Sequence, residues 1–284
     1  MLHIHTPFYR LEFLDPNGDA EYQGTRYVRG AYLWQAYDRQ NRALFTGPLY
    51  PDPVPDVFDG QGAPEAFREV DLHGERPLNP VGADLFVPGV GLLAATSNYR
   101  IFNLLDAPQW KHHLGENHCH MSCTHGVEDL AYHLEREWTA QGPNLVSTTR
   151  IRNSGRHPLR LQWFAHPFFP PMSEGLSLDP GPACHLPDDA MAYSLDATGR
   201  IDHRRPYTGP PKQRFQLLRL DAPVTCDLSL AHPVCGRVEL RGDFPLSDLP
   251  IWSNPNTFSP EPYLDLVLEP GDSREWSLRY LFVS

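Results

Sequence analysis

Long apolar runs are missing from this sequence. No stretch of about 18 or more apolar residues occurs in its 284 positions, so no segment is available for a membrane-spanning helix. The opening residues, MLHIHTPFYRLEF, lack the basic flank and apolar run of a signal peptide, and the expected location is the cytoplasm. Positive charge is also scarce. A formal net charge of -11 sets most of the surface against phosphate backbones and anionic lipid, which argues against nucleic acid or membrane as partners and for a neutral ligand. Disulfide spacing is absent: Cys119, Cys123, Cys184, Cys226 and Cys235 are odd in number and read as free thiols of a reducing compartment. No window of about 11 residues or more carries a helical period free of Pro and Gly, and only Pro64 to Val70 reads as a short helix. No repeat with a period of about 20 to 50 residues is found.

What the chain does contain is 30 prolines and 21 glycines, which break helices but sit well at the turns and edges of short strands. The runs from Arg26 to Tyr37 and from Leu145 to Arg152 are rich in β-branched and aromatic residues and predict strands. Asn153-Ser154-Gly155 lies between two alternating runs and predicts a hairpin between Leu145–Arg152 and Arg156–Phe164. A second hairpin or meander is expected from Asp221 to Leu240. At the C-terminus, Tyr263 to Leu268, Pro270-Gly271 and Glu275 to Phe282 give strand, turn and strand, so the chain ends inside a sheet. Tyr50 to Pro88 is the longest loop-like stretch, of the kind that shapes a binding mouth. The fold class is therefore all-β, with residues 1–284 forming one domain.

Three segments carry chemistry-bearing residues. His118 to His125 has the residue types of a soft-metal site. Strand alternation, however, sends His118, His120, Ser122 and Thr124 to one face and Cys119, Met121, Cys123 and His125 to the other, so four ligands do not converge. A buried strand face with surface histidines explains it better, and no metal is expected. In Ala165-His166-Pro167-Phe168-Phe169, His166 is either a packed histidine at a sheet edge or a group that moves a proton near neutral pH. In Ser259-Pro260-Glu261-Pro262-Tyr263, two prolines stiffen the backbone around Glu261. That suits a catalytic base, or equally the start of a strand with a solvated glutamate.

Taken together, these motifs resemble the galactose-mutarotase-like superfamily, which includes the aldose 1-epimerases. Those proteins place a histidine in an Asn-His-x-Tyr-Phe type motif after an Asn-x-Gly turn, as His166 follows Leu145 to Gly155 here. They place a glutamate near the C-terminus before a strand, a Pro-Gly turn and a last aromatic strand, as with Glu261, Pro270-Gly271 and Trp276, Tyr280 and Phe282. Tyr22 to Tyr27 is similar to the Tyr-x-Gly-Thr-Arg-Phe opening of uncharacterised members, and Pro88-Gly89-Val90-Gly91 to their Gly-Val-Gly turn. The resemblance spans almost the whole chain. It implies a β-supersandwich whose antiparallel sheets curl around a carbohydrate-binding cleft.

It also implies an activity: interconversion of the anomers of a monosaccharide or sugar derivative by general acid/base catalysis, with no cofactor. Glu261 would be the base and His166 the acid. Arg26, His125, Trp163, Phe168 and Trp252 would bind the substrate, the aromatics by stacking on sugar faces. A non-catalytic carbohydrate-binding protein using the same cleft is the alternative. One departure favours that alternative: the upstream His-Gly of known mutarotases is replaced by Val90-Gly91, and the literal pairs His73-Gly74 and His125-Gly126 lie to either side.

Overall fold

The computed structural model describes residues 1–54, 60–77, 82–97, 102–172, 178–179, 184–187, 193–195, 200–203, 213–222 and 224–283. Among these, every strand pairing is antiparallel, and the one helical turn is a 3-10 turn at Ala20–Tyr22. Among the described residues, no helix is long and apolar enough to cross a membrane. A ten-stranded sheet forms the main wall. Its central strands are, in spatial order, Thr225–His232, Gly236–Pro245, Ser273–Val283, Asn144–Asn153, Leu130–Gln141 and His118–Val127. Their inner residues alternate with outer ones, as in the burial of Leu130, Tyr132, Leu134, Arg136, Trp138 and Ala140 along one strand. Against this wall packs a three-stranded sheet of Tyr263–Leu268, Leu159–Ala165 and Glu65–Phe67. Between them runs a contiguous buried cluster that extends from Ile4 to Phe282.

Several elements differ from expectation. Only Leu33–Tyr37 of the predicted strand over 26–37 is a strand. Pro64 to Val70 is not helical: Glu65–Phe67 is a strand, because its pairing with Leu159–Ala165 supplies the backbone partners a single helical turn would lack. The stretch from 50 to 88 also contains the strand Asp84–Val87, while 55–59 and 78–81 lie outside the described residues. The expected hairpin at 221–240 is present as Thr225–His232 paired with Gly236–Pro245. The segment from 118 to 125 is a strand with Cys119, Met121, Cys123 and His125 buried, following the predicted alternation.

Asn153-Ser154-Gly155 is not a hairpin turn but a corner between sheets. Asn144–Asn153 belongs to the ten-stranded wall and Leu159–Ala165 to the smaller sheet. The turn's backbone is engaged elsewhere, since the Ser154 and Gly155 amides donate to the Ala131 carbonyl at 3.0 and 3.1 Å. A Cβ on Gly155 would lie 2.5 Å from both the Ala131 amide nitrogen and the Asp129 carbonyl oxygen, so only glycine fits. The Pro270-Gly271 turn makes the return crossing at the same place, where the Gly271 amide donates to the Asn153 carbonyl at 2.9 Å. Gly271 has φ +92°, a conformation that glycine adopts without strain.

Candidate active site

Phe164, His166 and Phe168 lie at alternate positions of one extended segment and share a face. Facing them, Ser259, Glu261 and Tyr263 alternate in the same way. The two segments run antiparallel with Phe164 opposite Tyr263 and Phe169 opposite Phe258. That single register sets His166 directly across from Glu261, although Pro260 and Pro262 remove the amides that a regular ladder would use. The backbone still closes: the His166 amide donates to the Pro64 carbonyl at 2.9 Å and the Glu261 amide to the Pro250 carbonyl at 2.8 Å.

Directly opposed residues have β-carbons about 5 Å apart, and the two side chains touch. His166 Nε2 is 3.2 Å from Glu261 Oε1, with His166 only 5% and Glu261 2% exposed. On the far side of the imidazole, Ser259 Oγ is 2.8 Å from Nδ1. The Tyr263 hydroxyl donates to Glu261 Oε2 at 3.2 Å. Ser259, His166, Glu261 and Tyr263 thus form one buried chain of hydrogen bonds. A resting separation of about 5 to 8 Å, expected for two groups flanking a sugar ring, is not what the register produces.

Burial dominates the electrostatics. It pushes the Glu261 carboxyl up to about 7, against an opposing effect of the Arg26 guanidinium, the Tyr263 hydrogen bond and Arg68. It also holds the His166 imidazole well below its ordinary value, and Arg26 adds to that shift. Near neutral pH burial therefore favours an uncharged imidazole and a proton kept on the Glu261 carboxyl.

An aromatic shell encloses the pair. His166 packs on Phe168 at a centroid distance of 4.6 Å, with the Tyr27 and Trp252 rings each at 5.9 Å. Phe164 stacks on Tyr263 at 4.6 Å, and the Arg26 guanidinium lies 5.4 Å from the Phe164 centroid. Tyr27 continues through Tyr32 to Trp34, in a buried cluster separate from the main core. Trp252 is only half-buried and gives this cluster an outer face.

The structure thus brings Arg26, Phe168 and Trp252 to the His166–Glu261 pair and leaves Trp163 and His125 elsewhere. Trp163 is one residue from Phe164, and strand alternation turns it to the opposite face. There its Nε1 donates to Glu65 Oε2 at 2.8 Å and its ring packs on Trp276. His125 points into the main core against Phe86 and Tyr132, with Nε2 2.9 Å from Asp106 Oδ2. Neither histidine of the literal His-Gly pairs joins the His166–Glu261 pair, since His73 is exposed on a turn and His125 is held against Phe86, Tyr132 and Asp106. Sequence reasoning missed Ser259, Tyr263, Tyr27, Tyr32 and Trp34. The first two could have been found from the period-2 spacing of polar residues at 259, 261 and 263.

No protein-family model matches the sequence, and no curated protein matches it. Solved structures do match in shape. A galactose mutarotase related enzyme from Lactobacillus acidophilus superposes with a TM-score of 0.62 at 12% identity, covering 100% of this chain and 97% of its own. A galactose mutarotase-like protein from Lactobacillus casei gives 0.58 at 13%, covering 99% of each chain. The chain has the galactose-mutarotase-like fold. Another protein described as galactose mutarotase-like, from Clostridium acetobutylicum, matches with a TM-score of 0.57 at 11% identity, over 98% of this chain and 93% of its own. At these identities the likeness extends to the galactose-mutarotase-like architecture, and the chemistry of the site has to be argued from its own residues.

Proposed function

We propose that this galactose-mutarotase-like protein is an aldose 1-epimerase-like mutarotase that acts on a monosaccharide or sugar derivative through Glu261 and His166, without a cofactor. The observation that carries the reading is the buried 3.2 Å contact between a carboxyl and an imidazole inside an aromatic shell with an arginine beside it. Mutarotation needs a proton removed from the anomeric hydroxyl and another delivered to the ring oxygen. Both oxygens are bonded to the same carbon, so an acid and a base lying side by side can serve them from one edge of the sugar.

Transfer of the shared proton from Glu261 to His166 creates a carboxylate and an imidazolium. The carboxylate takes the hydroxyl proton, the imidazolium protonates the ring oxygen, and the carbon to ring-oxygen bond breaks as the carbonyl forms. After rotation about the C1–C2 bond, the reverse transfers close the ring on its other face. Arg26, Phe168 and Trp252 would hold the sugar, with Trp252 offering a flat face.

The same reading takes residues 1–284 as one domain. Five buried free thiols support a reducing compartment such as the cytoplasm. NMR exchange spectroscopy on freshly dissolved aldoses tests the activity: wild type should accelerate anomer exchange, and Glu261→Gln should lose at least about 100-fold, the usual scale of general acid/base catalysis. No acceleration by wild type would refute it. The replacement of the upstream His-Gly by Val90-Gly91 favours a second reading, a carbohydrate-binding protein. Calorimetric sugar binding without exchange would select that reading.

A further inference from the structure

His166 is held at both ring nitrogens. Nε2 faces Glu261 Oε1 and Nδ1 faces Ser259 Oγ, and both contacts are buried. Glu261 either presents a carboxylate that can only accept, or a carboxyl that can donate. When it is a carboxylate, Nε2 must carry the hydrogen, and Nδ1 is left as an acceptor. When the carboxyl is protonated and donates to Nε2, the hydrogen of a neutral imidazole must be on Nδ1. A hydroxyl at the Nδ1 position serves both cases, since it can donate or accept; alanine serves neither, and a backbone carbonyl serves only one. Serine at 259 is fully buried, so no solvent molecule need stand in for it.

We propose that Ser259 is a positioning residue that reverses its hydrogen bond to His166 as Glu261 gains or loses its proton, so that Nε2 stays aimed at Glu261 in both states while the imidazole exchanges tautomers. This inference rests on the acid/base reading of the site but concerns the resting protein. The proton balance closes. On deprotonation the carboxyl hydrogen passes to Nε2, the Nδ1 hydrogen passes to Ser259 Oγ while the hydroxyl's own hydrogen is released to solvent, and the hydroxyl so re-formed donates to the freed Nδ1 lone pair. The charged and titratable groups facing the pair are Arg26 and Tyr27 from the N-terminal segment, Arg68 beyond Glu65–Phe67, and Tyr263 on the adjoining strand. Of these, Tyr263 contacts Glu261 directly, and its hydroxyl donates to the oxygen that does not face His166.

Nitrogen-15 NMR of histidine-labelled protein reads the tautomer directly. In wild type, His166 should pass from the Nδ1–H to the Nε2–H form between about pH 6 and 8, without the signature of an imidazolium, about the pH at which Glu261 ionises. In Ser259→Ala the Nε2–H form should persist across that range, because a buried N–H without an acceptor is rarer than a buried unpaired acceptor. Ser259→Thr, which keeps the hydroxyl, should restore the exchange. One unchanging tautomer in wild type, a charged imidazole, or an unaltered exchange in Ser259→Ala would each overturn the proposal. If the exchange occurs in a protein that does not interconvert anomers, the tautomer inference stands and the mutarotase reading falls. If both hold, Ser259→Ala should lower kcat with little change in KM.

Discussion

Glu261 holds its proton far more tightly in the folded protein than its ordinary value of 4.5 allows, because burial penalises the charged form. A raised carboxyl stabilises the fold most when it is protonated. That contribution is complete below about pH 4.5 and is lost as the pH rises through about 7. His166 works in the opposite sense. Its lowered value means that stability is present above its ordinary 6.5 and is lost as the pH falls toward the depressed folded value. Glu261→Gln cannot ionise, so at pH 8 it should be more stable than wild type by on the order of 3 kcal/mol, with the gap narrowing toward pH 5. Urea unfolding at the two pH values measures this, and equal wild-type and variant stability at pH 8 would contradict the burial argument.

At the scale of elements, the site depends on a strand register and on two corners. The register that pairs Phe164 with Tyr263 continues past two prolines and makes His166 and Glu261 neighbours. The corners at Asn153 and Gly271 allow the chain to leave the large sheet, form the strand that leads into His166, and return after the strand that follows Glu261. Asn153 is fully buried, and its Nδ2 donates to the Leu268 and His157 carbonyls at 2.9 and 2.8 Å while its Oδ1 accepts from the Gly155 amide. Asn153→Ala should therefore cost about 2 to 4 kcal/mol, the sum expected for buried groups left without partners, as a lowered urea midpoint. The turn signal at 153–155 was legible in the sequence, but turn chemistry is the same for a hairpin and a corner. What separates them is whether the neighbouring carbonyls of Asp129 and Ala131 claim the backbone amides.

Across the whole molecule, the two facing sheets are joined through Glu65. It lies on the small sheet, yet accepts hydrogen bonds from Ser147 and Thr149 on the large one, from Trp163 on its own, and pairs with Arg136 at 2.7 Å. Both charges are fully buried. Removing one side of such a pair leaves the other unpaired in a low-dielectric interior. Glu65→Ala should lower stability by about 3 to 5 kcal/mol in urea unfolding, whereas exposed pairs such as Arg156 with Asp129 should contribute less than about 1 kcal/mol. Glu65 was not legible as a structural residue in the sequence, since its partners come from positions 136, 147, 149 and 163.

The sequence by itself determined the all-β class, the inward and outward faces of strands such as His118–Val127, and the two segments that carry His166 and Glu261. Composition, alternation and proline placement act over a few residues, so they can be read without knowing what lies opposite. Tertiary structure alone decided that Asn153-Ser154-Gly155 is a corner, that Trp163 and His125 face away from the pair, and that His166 and Glu261 touch. Register and sheet packing bring together residues about a hundred positions apart. Burial then sets their proton affinities, and none of this is encoded in either segment taken alone.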